Sequence, residues 1–539
     1  MKHIETKQII EIRMLIRSLL LFYLFSFSLS PTLAQTIVKG DCTPPITNDA
    51  DRAEARGAKF RLPIPNKDWN PERIYHQLVI LISFSDTDFS LEHPLETYDS
   101  IFNKFGYNQR DGYGCVADYY RDQSAGMLNL QFDVYGPYKV STKAQPYTAP
   151  DENIRNYGRE VMMEATQMFL NEHPDLSLAD YDWNGDGYVN QVVYVSAGYS
   201  GNQNSSKCYG YIWPNTSSFS SITANDGRHI SSYTISGERW SNNTSCGIGT
   251  ICHEFAHSLG LPDIYPTNGW TYSAVDEWDL MDGGNFTNYG WCPPNFSPLE
   301  KMLLGWLTPI ELKTDTTIVG LKPVAEGGAV YQVKHTNDEY LLLENRQWQG
   351  WDYGLPGKGL VVYHVNYNAT RWNYNSVNNS NSQLYYSLMA ADNMNYDEWE
   401  QLVLSWGVTS MSGTYRNSPR LNRYMLSSAA YPWTTDSTTT IADSLTDNSL
   451  PATIMYTTNT AGSRMLSKPI NNIKVTDGLV AFDFMGGSHD PVGIIENTEK
   501  NLIHRSKVYD LKGRCIVGKT GHGLYVIKNE DGTIKKVFK

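Results

Sequence analysis

The residues best equipped for chemistry lie in one run, Cys252-His253-Glu254-Phe255-Ala256-His257-Ser258-Leu259-Gly260-Leu261-Pro262-Asp263. His253 and His257 are four positions apart, about 400° of helical rotation, so both imidazoles leave one face a turn apart. Two imidazole nitrogens at that spacing suit a divalent ion, zinc above all. Glu254, rotated by about 100° from His253, does not have to bind the ion. It can hold a water against it as a general base. Ile251, Phe255 and Leu259 repeat at a helical interval on the opposite face and predict that the helix docks into a core. Gly260 then stands where a left-handed turn is easiest for glycine. Such a turn can swing Asp263 back as a third ligand. A surface helix with two solvated histidines would share the five-residue pattern, but not the extension through Gly260 to Asp263.

A second constellation is Asp182-Trp183-Asn184-Gly185-Asp186-Gly187-Tyr188. Oxygens at alternate positions of such a loop converge on one cation, and Gly187 permits the sharp turn. Val193 stands where an EF-hand would carry its bidentate glutamate, so the pattern matches only the first half of an EF-hand loop. A structural calcium held by Asp180, Asp182, Asn184, Asp186 and the Tyr188 carbonyl is the expectation. The alternative is an Asn/Asp/Gly turn leading into a strand.

The surroundings favour an exported hydrolase. Lys2, Lys7, Arg13 and Arg17 precede a short apolar stretch from Ser18 to Ser30, and Ala34 closes a cleavage-like segment, so residues 1–34 read as a secretory signal. No later run is long and apolar enough to span a bilayer. The net charge of −13 argues against nucleic acid or an anionic membrane as partner. Seven cysteines lie beyond the signal, and Cys208, Cys246, Cys252 and Cys292 are the foremost disulfide candidates. Residues 35–74 read as a linker or pro-segment, in which Cys42 could restrain a zinc enzyme as a thiolate.

Gln77–Phe84, Leu130–Tyr135 and Gln191–Ala197 read as strands, and Val116–Leu130, Ile154–Phe169 and Ser297–Leu307 as helices ending near Gly126, Phe169 and Gly305. Together they predict an α/β (α+β) catalytic domain over 75–310, with a twisted sheet backed by a long helix and carrying the active-site helix. From 311 to 490 short apolar runs alternate with loops rich in Asn, Ser and Thr, notably 366–383, which predicts a β-sandwich accessory domain. His364 falls among buried positions there and reads as structural. Residues 491–539 suggest a small all-β tail.

Trp278-Asp279-Leu280-Met281-Asp282-Gly283-Gly284 resembles the methionine turn that lies under the metal in metzincins, with Met281 in the key place. Taken with His253, Glu254, His257, Gly260 and Asp263, it makes the chain similar to the immune inhibitor A family of secreted metallopeptidases, in which aspartate replaces the third histidine. Val116–Gly126, Glu344-Asn345-Arg346 and Leu360–His364 extend the likeness, which we trace over residues 75–487. Ala125, where the family suggests an aromatic, departs from it. The tail is similar to a type IX secretion sorting domain, which implies secretion components as partners.

The expected function is a secreted or cell-surface zinc endopeptidase acting on extracellular proteins or peptides, with a zinc-bound water and Glu254 as the general base. Two rivals remain: an amidase using the same metal, and an inactive adhesin or carbohydrate-binding protein using aromatic residues such as Trp348, Trp351 and Trp372 of the β region.

Overall fold

The computed structural model describes residues 69–145, 154–202, 207–268, 273–380, 382–394, 426, 428–434, 440–487, and the strand segments 507–509, 524–528 and 534–538. The signal segment, Cys42, almost all of the linker and much of the tail lie outside these residues.

The first sheet explains why the central apolar runs are unbroken. Strand β1 (Ile74–Ser83) pairs in parallel with β2 (Asn129–Lys139) on one side and β3 (Val192–Tyr199) on the other. Beyond β3 come β5 (His229–Arg239), parallel to it, and the antiparallel edge strand β4 (Asn215–Thr223). The order is β2-β1-β3-β5-β4. β1 and β3 are interior strands, so both faces need apolar residues, and Leu78 to Ile82 and Val192 to Val195 are all fully buried.

Helices cover the sheet. Helix α1 spans Pro94–Asn103, α2 Val116–Gln123, α3 Ile154–Glu172 and α4 Gly249–Ser258. Tyr157, Val161, Ala165 and Phe169 form the buried stripe of α3, and Thr166 on the same side meets the Tyr194 hydroxyl of β3 at 2.6 Å.

Several boundaries differ from the sequence reading. Helix α2 ends at Gln123, slightly ahead of the expected stop at Gly126, because Ala125 as well as Gly126 takes positive φ, 51° and 80°. Its start is fixed by a capping box in which Cys115 Sγ accepts from Asp118 N and the Asp118 carboxylate accepts from Cys115 N. Strand β2 does not stop at Gly136-Pro137 but runs on to Lys139. It is the sheet edge, where a proline costs no ladder bond. The helix expected over Ser297–Leu307 covers only Pro298–Leu303 (α5), again behind a capping box, Ser297 with Glu300. Strands β4 and β5 were not foreseen: the Ser/Thr-rich sequence of β4 offers little apolar signal at an exposed edge. Nor are the disulfide candidates bridged as expected. Cys246, Cys252 and Cys292 are buried thiols.

A second sheet, order β11-β10-β9-β8-β6, is built from Ile310–Glu311 (β6), Tyr331–Lys334 (β8), Glu339–Arg346 (β9), Gly359–Asn366 (β10) and Tyr386–Leu388 (β11). Period-two alternation divides its two faces. Leu341, Leu343, Leu360 and Val362 pack against a three-stranded sheet of Thr316–Leu321 (β7), Ile470–Thr476 (β12) and Leu479–Phe484 (β13). Tyr340, Leu342, Val361, Tyr363 and Val365 face the other way and join the hydrophobic cluster that also holds α2, α4 and the first sheet. His364 is structural in its contacts: its Nε2 meets Glu339 Oε1 at 2.8 Å. The three tail segments form an antiparallel sheet of their own.

A buried ion network ties the second sheet to the loop before α5. Arg346, fully buried, donates from Nε and Nη2 to the two Asp352 oxygens at 2.7 and 2.6 Å, and from Nη1 to Glu344 Oε1 at 2.9 Å. Its Nη2 also reaches the Asn295 carbonyl at 3.3 Å. Removing one partner of such a network strands the others without solvent, which costs about 3–5 kcal/mol. Arg346→Met should therefore lose about that much stability. Urea unfolding checks it, and a loss under about 1 kcal/mol would show that Asp352 and Glu344 find other partners.

Candidate metal centre

Helix α4 is buried almost all round. Its N-terminal turn crosses the segment around Asn285 and Gly290 so closely that a Cβ at Gly249 would sit 2.0 Å from the Asn285 carbonyl oxygen. Phe255, on the inward face, packs edge-on to Tyr120 and Phe132 at ring separations of 5.0 and 5.9 Å. Burying a side chain of that size contributes about 1.5–3 kcal/mol. The Tyr120 hydroxyl donates to the Cys252 carbonyl at 2.5 Å, fixing the middle of the helix to α2. The helix then ends as its sequence requires. Gly260 has φ +96°, its N–H donates to the His257 carbonyl at 2.9 Å, and the chain turns back.

That reversal brings His253, His257 and Asp263 together. One donor atom from each lies within 4.8 Å of the others, and among the described residues this is the sole such group of three from His, Cys, Asp and Glu. Asp263 Oδ1 is 3.2 Å from His253 Nε2 and 3.3 Å from His257 Nε2. The far nitrogens are tied down. His253 Nδ1 donates to the Leu280 carbonyl at 2.8 Å, and His257 Nδ1 to the Leu261 carbonyl at 2.7 Å. A carbonyl can only accept, so each Nδ1 carries the hydrogen and each Nε2 is turned inward.

The carbonyl that orients His253 belongs to the segment with Met281. Met281 is fully buried, its N–H donates to Asp279 Oδ1 at 2.8 Å, and its carbonyl accepts from Ile264 N at 2.8 Å. The turn thus braces both a histidine and the loop that carries Asp263. The Tyr265 ring lies nearly parallel to that of His253, centroids 6.2 Å apart.

Burial pushes the Glu254 carboxyl up to about 7, against the opposing pull of His253 and His257. Burial also disfavours the His257 cation, but the Asp263 carboxylate outweighs it and raises the imidazolium to about 9. At Asp263 burial opposes the charge in turn, and His257 with both imidazole contacts wins, holding the carboxyl well below the usual carboxylate range. The cluster therefore gathers positive charge at a point that two nitrogens and an anionic oxygen face. Two imidazoles and one carboxylate are a donor set for zinc with a position left open. Glu254 Oε1 is buried and has no hydrogen-bond partner among the described residues, a polar atom suited to holding a water.

Two neighbours gave no sequence signal. Thr216 on edge strand β4 donates to the Glu254 carbonyl at 2.6 Å and reaches Glu254 Oε2 at 3.3 Å. Asn375 lies 112 residues beyond Asp263 and hydrogen-bonds it twice.

The residues expected to hold calcium sit apart from this cluster, before β3. Asp182 Oδ1 and Oδ2 accept from Asp186 N and Gly187 N, both at 3.0 Å, and Arg228 Nε lies 3.4 Å from Oδ2. Asp186 accepts from Tyr188 N and from Asn184 Nδ2, and Asp180 is exposed. The loop's carboxylates thus accept from the N–H groups of Asp186, Gly187 and Tyr188.

Residues 66–305 match the catalytic domain of the immune inhibitor A peptidases, family M6. Over 270 residues the chain is 26% identical to Immune inhibitor A of Bacillus thuringiensis subsp. alesti, covering 42% of this chain and 38% of that protein. Over 274 residues it is 23% identical to the pre-pro-metalloprotease PrtV of Vibrio cholerae, covering 44% of this chain and 28% of that protein. The chain thus spans less than half the length of either relative. The family match ends before the second sheet, short of the 487 to which we traced the likeness in sequence. These likenesses support a metalloendopeptidase.

A divalent ion at this cluster has to displace the proton of His257. Metal affinity should therefore rise with pH until His257 is neutral, at about 9, by about tenfold per pH unit where one proton is released. Chelator competition between about pH 7 and about pH 9 measures it, and an affinity flat over that range would place the ion elsewhere.

Proposed function

We propose that the chain is a secreted zinc endopeptidase, with His253, His257 and Asp263 as metal ligands and Glu254 as the general base. The observation that carries this reading is the convergence of the three inward-turned donor atoms next to a buried glutamate oxygen with no other partner among the described residues. A bound zinc would supply Lewis acidity to a water and to the scissile carbonyl.

The protein's own residues do the rest. Glu254 accepts the water's proton as the water adds to the carbonyl carbon, and then gives that proton to the departing amine nitrogen. Its pKa, raised by burial to about 7, suits a group that must both take and return a proton near neutrality. Thr216 holds the glutamate from the β4 side. Leu280 and Leu261 keep the imidazoles in the tautomer that presents Nε2.

Export rests on the basic and apolar segment within residues 1–34, and the sorting role of the tail on its strand-and-glycine pattern over 491–539, as sequence arguments. The rival reading as a carbohydrate-binding protein loses support from its own aromatics. Trp351 and Trp372 are core residues, 2% and 1% exposed, and only Trp348 among the three is open, with Lys358 Nζ 4.6 Å over its ring.

Glu254→Gln should keep the metal and lose peptide cleavage by about 10²–10⁴-fold. Casein zymography alongside metal analysis of the purified variant checks both, and cleavage at the native rate by a zinc-loaded Glu254→Gln protein would remove the glutamate from this role. Asp263→Ala should lose the metal. Casein left intact by native zinc-loaded protein, with small amides hydrolysed, would favour the amidase.

A further inference from the structure

Asp263 is held from a distant part of the chain. Its N–H donates to Asn375 Oδ1 at 2.6 Å, and Asn375 Nδ2 donates to Asp263 Oδ2 at 2.7 Å. A backbone N–H can only donate, so the oxygen of the Asn375 amide must face it and the NH₂ must face the carboxylate. The second bond engages Oδ2, and Oδ1 is the oxygen that faces His253 and His257. One amide thus fixes both the position of the backbone and the choice of oxygen.

Asn375 is itself well anchored. It follows the short helix α6 (Ala369–Asn373), which Asn368 caps through Arg371 N at 3.1 Å and which Trp372 fastens in the core. Its φ of +48° lies in the left-handed region, which asparagine tolerates better than most residues. The residues after it run beside the loop that follows Asp263. Thr267 Oγ1 donates to the Asn375 carbonyl at 2.5 Å, Thr267 N to Asn379 Oδ1 at 2.7 Å, and Asn378 Nδ2 to the Ile264 carbonyl at 3.0 Å. The Asn-rich run between β10 and β11 is therefore a clasp on the loop that supplies the carboxylate.

We propose that Asn375 is the positioning residue for the third metal ligand, so that the centre is complete only when the β10–β11 connection of the second sheet is in place. This rests on the reading of Asp263 as a ligand. It adds that the ligand geometry is set from outside the stretch, residues 66–305, that matches the family's catalytic domain.

The test uses the full chain and the variants Asn375→Gly and Asp263→Ala. Glycine suits the positive φ, so Asn375→Gly removes the amide without backbone strain. Zinc affinity is read by competition with a chromophoric chelator, ligand geometry by the visible absorption of the cobalt-substituted protein, and folding by thermal melts of the metal-free proteins. Asn375→Gly should melt like the native protein, bind zinc about 10–100-fold more weakly and show shifted cobalt bands. Asp263→Ala should lose more affinity than that. If Asp263→Ala is weakened while Asn375→Gly keeps native affinity and native cobalt bands, the positioning role is overturned and the ligand assignment stands. If Asp263→Ala binds zinc like the native protein, the ligand assignment fails and the positioning role with it. Should Asn375→Gly melt early, Asn375→Asp, which tolerates the positive φ and keeps an acceptor for the Asp263 N–H but loses the donor to Oδ2, decides between these outcomes by the same cobalt bands.

Discussion

Three side chains can share one buried point only if each has its other polar atom committed elsewhere. An imidazole with a loose Nδ1 can flip, and a carboxylate with two free oxygens can rotate. Here each second atom is taken by a group that cannot move independently. The Leu280 carbonyl holds His253, the Leu261 carbonyl holds His257, and the Asn375 amide holds Asp263. The inner atoms are then left at 3.2 and 3.3 Å with nothing to do but face one another or a cation. Much of the surrounding structure exists to keep those three outer partners still.

The methionine segment illustrates this. Its Leu280 carbonyl is useful only if the turn is rigid, and the turn is pinned by Asp279 at the Met281 N–H and by Ile264 at the Met281 carbonyl. Asp279 is deeply buried, and its carboxyl is pushed up by that burial, with the Glu300 and Met281 contacts opposing. The helix is treated likewise. Gly249 lets its first turn approach the Asn285 segment closely, and Tyr120 holds the Cys252 carbonyl. Side chains of little chemical interest therefore set the orientation of the donor atoms.

How much of this was legible in the sequence depends on how local each device is. Helix α4, its inward face and its stop at Gly260 follow from spacing and from the one residue type that accepts the turn, and all are read within a dozen positions. The central strands announce themselves because burial on both faces demands unbroken apolar runs. Edge strand β4 does not, since NTSSFSSIT carries few apolar residues, and so Thr216 went unseen. Asn375 was hidden for a different reason. It sits in a polar run that reads as a loop, and its partner is 112 residues away, a pairing with no periodic signature. The stop of α2 near Gly126 was legible, and positive φ at the non-glycine Ala125 moves it slightly earlier.

The second sheet is best understood as part of the structure that holds the donor cluster rather than as an attachment to it. Leu342, Val361 and Tyr363 share a hydrophobic cluster with Phe255 and Met281, while Leu341, Leu343 and Val362 belong to a separate core on the opposite face. A sheet buried on both faces cannot pivot without exposing one of them, and Arg346 resists such movement further through Asp352 and Asn295. A rigid sheet is also what a clasp requires. Asn375 can choose the orientation of a carboxylate only if its own position is fixed to a fraction of an ångström relative to α4. The family likeness ends at residue 305, but the packing does not, and the carboxylate that completes the donor set is oriented from the far side of that line.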